Sequence, residues 1–263
     1  NAIMDVNQGA ALVVASESAA RRLGVPEDRW VWPWAAADVA EHWFLSDRAT
    51  FHELPGMRRA AGELLASVDL DVRTVSHLDL YGCFPIAPRL SAAMLGLDPG
   101  TSRPLTVTGA LPWFGGPGND YATHAVAAVM ERLRAKRDDT ALVHALGWNC
   151  TKHGLAVYGG RRPARGWQRA GGPALQEWVA SQPRATVMQD PAGRGALETY
   201  TVVHGRDGAA ERGVAIGRLD DGRRFVAALP RDPTLLDAFE QEEQVSRAGT
   251  VRTAAGVSTF DPA

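Results

Sequence analysis

Cysteine is scarce in this chain of 263 residues: there are two, Cys83 and Cys150, far apart and without the companions of a metal-ligand set. Such a pair reads as buried thiols or site residues rather than as a disulfide or a metal site. An excess of charge of one sign is also missing. The 28 Lys and Arg against 30 Asp and Glu are spread along the chain and leave a net charge of -2. That removes the electrostatic reason to expect nucleic acid or an anionic membrane as partner, while the phosphates of a small ligand stay within reach. No apolar run approaches the roughly 18 to 20 residues of a membrane-spanning helix. The N-terminus lacks the basic start and apolar core of a signal peptide, so the cytoplasm is the default compartment.

What is present is a change of rhythm along the chain. Up to about residue 160, short apolar runs alternate with helix-period segments, the pattern of a mostly parallel sheet covered by helices. Ala10 to Ala15 reads as a strand and Ser16 as the cap of a following helix. The chain enters that strand almost at once, which implies an N-terminal portion covering one side of it. Val31 to Val39 is strand-like. Pro55 opens a helix with Met57, Ala61, Leu64 and Leu65 on one face. Val75 to Leu80 alternates apolar and polar residues, and Leu105 to Thr108 is a short strand. Val126, Val129, Met130 and Leu133 make one apolar helical stripe with cations near its C-terminal end. Ala141 to Leu146 and Gly154 to Tyr158 form a strand pair. Residues 161–185, broken by Gly and Pro, read as a linker with a short helix near Leu175 to Ala180. From 186 to 263, close-set strands joined at Asp207-Gly208 and Asp221-Gly222 predict a small antiparallel β-barrel.

Three loops follow strand-like runs: Tyr81-Gly-Cys-Phe84, Gly109-Ala-Leu-Pro-Trp-Phe-Gly-Gly-Pro-Gly-Asn-Asp-Tyr121, and Gly147-Trp-Asn-Cys-Thr-Lys-His153. Together with the opening Asp5-Val-Asn-Gln-Gly-Ala-Ala stretch, their order and spacing resemble the C-terminal half of thiolases. The segment from about 186 resembles the additional barrel of actinobacterial thiolase-like proteins, often labelled acetyl-CoA acetyltransferases. The implied fold is α/β: a thiolase C-terminal half with a mixed sheet and covering helices over 1–160, followed by the barrel. The implied activity is acyl transfer on a CoA thioester, with acyl-CoA or CoA as ligand and no bound cofactor or metal. The implied partners are an N-terminal thiolase half, which carries the family's nucleophilic cysteine, and a second copy in a homodimer.

The same resemblance marks what has been exchanged. Tyr81 stands where the family places Asn or His to hold an oxyanion water, and its hydroxyl can donate where negative charge develops. Pro117 replaces the family's histidine and cannot move a proton. Cys150 falls a few positions late for the acid/base cysteine, and a loop shift would bring it or His153 into place. Tyr121 joins Tyr81 in a second reading, a retro-aldolase that uses tyrosines, one as oxyanion donor and the other as proton carrier. A non-catalytic CoA-binding scaffold is the third. Gly116, Asn119, Asp120 and Trp148 complete the candidate pocket. Outside it, His77 reads as structural, Trp30, Trp32 and Trp34 as one packed sheet face, and Arg218, Arg223 and Arg224 as solvated hairpin charges.

Overall fold

The computed structural model describes residues 2–263. They divide into two compact units: residues up to Trp43 with Thr50–Gln182, and Phe44–Ala49 with Pro183–Ala263. The first unit contains, in order, α1 Glu17–Arg22, β1 Trp32–Ala40, α2 Pro55–Ser67, β2 His77–Leu80, α3 Ile86–Met94, α4 Leu111–Phe114, α5 Tyr121–Ala135, β3 Thr140–Gly147, β4 Lys152–Gly159, β5 Gln168–Arg169 and α6 Pro173–Ala180. The sheet order is β2-β3-β4-β1-β5. It is mixed rather than mostly parallel: β2 and β3 run parallel, as do β1 and β5, while β4 is antiparallel to both its neighbours.

Alternation along the strands divides the core into two layers. Leu142, Leu155, Val157, Ala35 and Ala37 face α2 and α6, where Met57, Ala60, Leu64, Leu175 and Val179 are buried with them. Ala141 and Val143 point the other way, onto Tyr121, Ala125, Val129 and Leu133 of α5. The buried stripe of α5 thus runs at four-residue intervals through Tyr121 and Ala125, with Val126 only partly buried beside it. Ser16 caps α1 by accepting from Ala19 N–H at 3.2 Å, and Pro55 sits in the first turn of α2, both as expected. Trp34 donates to the Arg161 carbonyl at 2.8 Å, and Trp30 and Trp32 meet edge to face.

Three expectations differ. Residues 10–15 form no strand; their backbone finds no neighbouring strand, and Val13 and Val14 are 88% and 92% exposed. Residues 105–108 do not complete a ladder either, because Val107 and Thr108 N–H donate to the Asp79 carboxylate instead. The 161–185 stretch holds β5, which pairs with β1, and α6, whose Leu175 and Val179 enter the first core.

The second unit contains β6 Gly193–His204, β7 Ala210–Leu219, β8 Arg224–Ala228, α7 Pro233–Gln241, β9 Ala248–Ala254 and β10 Val257–Pro262. Its strands form a closed barrel in the order β10-β8-β7-β6-β9. Neighbours are antiparallel except at β10 and β8, which meet parallel at Thr259 and Ala228. Phe225 and Phe260 stack at 5.3 Å in the barrel interior. Gly217 and Gly249 make room for them, since a Cβ at either position would lie 2.4 Å from one of these rings. Among the described residues no helix is long and apolar enough to cross a membrane.

Candidate active-site loops

Parallel pairing of β2 with β3, Leu80 opposite His144, sends the loops that follow both strands from the same end of the sheet. The first two loops touch. Leu111 N–H donates to the Gly82 carbonyl at 3.3 Å, and a Cβ on Gly82 would come within 2.7 Å of the Ala110 Cβ. A side chain at position 82 would therefore collide with the second loop, and glycine lets the two loops meet.

Beneath this contact lies Asp79, fully buried. One oxygen accepts from Val107 N–H at 2.9 Å, Thr108 N–H at 3.0 Å and Thr108 Oγ1 at 3.0 Å; the other accepts from the Tyr121 hydroxyl at 3.1 Å. Thr108 Oγ1 and Tyr121 Oη are 2.5 Å apart. A buried carboxylate needs its lone pairs answered, and here neutral donors answer them. Burial, and next the negative charge of Asp79, push the Tyr121 hydroxyl well above the ordinary tyrosine value. Tyr121 is thus held protonated with its proton turned inward, which suits it to bracing the loop rather than to removing a proton.

Tyr81 differs although its ring meets that of Tyr121 edge to face at 5.2 Å. It is half-buried, and burial followed by the neighbouring Cys83 raises its pKa. Its hydroxyl has no hydrogen-bond partner among the described residues. A phenol that stays protonated at neutral pH, partly open to solvent and unclaimed by the protein, is a ready donor to a ligand oxygen.

Cys150 and His153 lie elsewhere at the same sheet end. His153 and Leu155 share the α2 side of β4, and Cys150 packs against the first core, whereas Tyr81 and Tyr121 belong to the α5 side. His153 is buried against His144: His144 Nε2 and His153 Nδ1 are 3.0 Å apart, the rings stack at 5.3 Å, and His153 Nε2 reaches the Cys150 carbonyl at 3.2 Å. At the other end, Ser91 Oγ of α3 is 3.3 Å from His144 Nδ1. A carbonyl only accepts, so one arrangement satisfies every atom: Ser91 donates to His144, His144 to His153, and His153 to Cys150. Burial, and then His153, hold His144 well below the usual histidine value. The chain steadies a strained turn, since Trp148 and Cys150 both have left-handed backbones with φ of 57° and 51°. Trp148 is exposed and leans on Trp43 at 6.1 Å.

The other candidates are dispersed along the second loop. Gly116 is buried and its N–H donates to the Ile3 carbonyl at 2.7 Å. Asp120 Oδ2 accepts from Ala10 N–H at 3.1 Å and lies 3.3 Å from His124 Nε2. Asn119 is exposed. Among the described residues no group of three or more His, Cys, Asp or Glu could hold a metal ion. Sequence reading passed over Asp79, His144 and Ser91. His144 had a signal, an ionisable residue inside an otherwise apolar run, and Asp79 stood as a lone carboxylate between Leu78 and Leu80; Ser91 had none.

A layered α/β unit with these three loops and a closed five-stranded barrel are the build of a thiolase-like protein with an additional C-terminal domain. Residues 174–255 match the family described as thiolase-like protein type 1 additional C-terminal domain. A monomeric SCP2-thiolase-like protein type 1 from Mycobacterium smegmatis is 33% identical in sequence and superimposes with a TM-score of 0.84, over 93% of this chain and 53% of that one. The chain therefore spans about half the length of that relative. The peroxisomal 3-ketoacyl-CoA thiolase of Saccharomyces cerevisiae aligns at 17% identity over 54% of this chain and 37% of that one, with a TM-score of 0.40. No curated protein sequence matches the chain.

Proposed function

We propose that this chain forms the acyl-thioester-binding lobe of a thiolase-like protein of the acyltransferase class, with an acyl-CoA as its ligand and Tyr81 as the donor to the thioester oxygen. An N-terminal thiolase half would complete the pocket. The observation that carries the reading is the unclaimed, protonated hydroxyl of Tyr81 at the junction of the first two loops. Its hydrogen bond would strengthen as charge gathers on the thioester oxygen, the property that separates transition-state binding from ground-state binding. Pro117 leaves the second loop without the family's proton-moving group, so the nucleophile and its base would come from the N-terminal half.

Titration calorimetry with CoA and a medium-chain acyl-CoA, on the protein with its N-terminal half present, tests this. Saturable binding that weakens about 10-fold in Tyr81→Phe is expected, the loss of roughly one hydrogen bond. No saturation at millimolar ligand sinks the proposal. Turnover of an acetoacetyl thioester then separates a transferase from a scaffold that only holds CoA. The tyrosine-dependent retro-aldolase is the weaker reading, because the Tyr121 hydroxyl is committed to Asp79.

A further inference from the structure

Arg224 was read as a solvated hairpin charge, yet it is 0% exposed. A guanidinium cannot shed its proton at accessible pH, so burying it requires acceptors around the fork and a compensating negative charge. Glu198 supplies the charge, taking Arg224 Nε at 2.5 Å and Nη2 at 3.0 Å, and it accepts from Arg218 Nε at 2.8 Å as well. Burial alone would raise the Glu198 pKa; the hydrogen bonds from Arg224 and Arg218 outweigh it and hold the carboxyl below its ordinary value. Further acceptors come from 178 and 176 positions upstream: Arg224 Nη1 donates to the carbonyls of Ser46 at 2.7 Å and Arg48 at 2.5 Å.

We infer that residues 44–49 are a strap built into the barrel unit and pinned there by Arg224, so that the additional domain is a discontinuous fold rather than a C-terminal appendage. Backbone pairing supports the pin. Arg48 bridges to Arg184, and Ala185 N–H donates to the Asp47 carbonyl at 2.9 Å. Two residues on, the same segment lies along β8, where Arg224 N–H donates to Thr186 O at 2.8 Å and Met188 N–H donates to Arg224 O at 2.9 Å. The family match over 174–255 includes Glu198 and Arg224 but neither the strap nor β10, which closes the barrel. The strap sits between β1 and α2 in the chain, so the barrel unit is assembled from two separate stretches of sequence.

Limited trypsin digestion of the whole chain tests the inference. The bond after Arg48 has as its carbonyl one of the Arg224 acceptors. The parent protein should resist cleavage there. Arg224→Met, which removes the fork, should be cut at that bond at least 10-fold faster, and Arg224→Lys should fall between them. Parent-like resistance in Arg224→Met overturns the proposal. Should the methionine variant be insoluble, hydrogen exchange on the unaltered protein decides. The Ala185 amide should then exchange within about threefold of the Leu229 amide, which donates to Gly213 O inside the barrel. Exchange of Ala185 100-fold faster would make the strap a peripheral loop and sink the idea.

Discussion

Two carboxylates, Asp79 fully buried and Glu198 half-buried, are answered in opposite ways. Glu198 in the barrel unit is met by two guanidinium groups, whereas Asp79 in the sheet unit is met by two backbone N–H groups and two hydroxyls. The difference follows from what each must hold. Pinning a strap means satisfying its carbonyls, which requires a rich donor such as Arg224, and that donor in turn requires an anion. Bracing the second loop means satisfying its N–H groups, which a carboxylate does by itself. The Asp79 cluster is therefore complete with neutral donors alone.

The largest effects should come from breaking the charged cluster. Glu198→Ala leaves Arg224 buried without its counter-ion, and removing one partner of such a pair typically costs about 3 to 5 kcal/mol. Every tryptophan of the chain lies before residue 183. Urea unfolding followed by circular dichroism should therefore lose barrel stability while tryptophan emission, which reports on the sheet unit, keeps its midpoint. Coincident shifts in both signals would show that the two units unfold as one.

Asp79→Asn should come next, at about 2 kcal/mol, because an amide can accept from only one side and presents its own N–H₂ to donors already aimed at it. Here tryptophan emission is the signal that should move. A loss as large as that of Glu198→Ala would mean that neutral donors and cations hold these carboxylates equally, and would erase the contrast.

Much of this was legible in sequence, and the misses share a cause. The three loops, the two hairpin turns at Asp207-Gly208 and Asp221-Gly222, the Ser16 cap of α1 and the opening Pro55 of α2 are local features, written in residues whose conformational preferences act over a few positions. Asp79, His144 and Arg224 escaped because each is a polar residue made acceptable by partners far off in the chain. Alternation suggested that Val75 to Leu80 shows one face to solvent, but Leu78, Asp79 and Leu80 are all buried, as strands covered on both faces are. Ala10 to Ala15 has the composition of a strand and lacks a sheet edge to join, which composition cannot reveal.

The histidine pair provides a contrast that pH can sharpen. His144 is buried with a lowered pKa, so between its native value and the usual histidine value near 6.5 the unfolded chain holds a proton that the folded one does not. Stability should therefore be level above about pH 7 and fall as the pH drops below 6.5, by up to roughly 1.4 kcal/mol per pH unit for this one group. In His144→Leu that slope should shrink while the loop loses its support, seen as faster exchange at Cys150 N–H, which donates to Trp148 O at 2.9 Å. An unchanged slope would mean that His144 takes up its proton at the same pH in the fold as in the unfolded chain.

The smallest effect is the most discriminating for chemistry. Tyr121→Phe removes one of the four donors to Asp79 and leaves the ring in its slot between Tyr81 and Phe114, so a loss of only about 1 kcal/mol is expected. Backbone N–H groups still hold the carboxylate, and the Tyr81 ring keeps its edge-to-face neighbour. Acyl-CoA affinity should then stay within about twofold of the parent, against the 10-fold loss expected for Tyr81→Phe. If any turnover found in the parent vanishes in Tyr121→Phe at unchanged affinity, Tyr121 moves a proton after all. Asp79 would then be the group that receives it, and the two tyrosines would trade the roles assigned to them here.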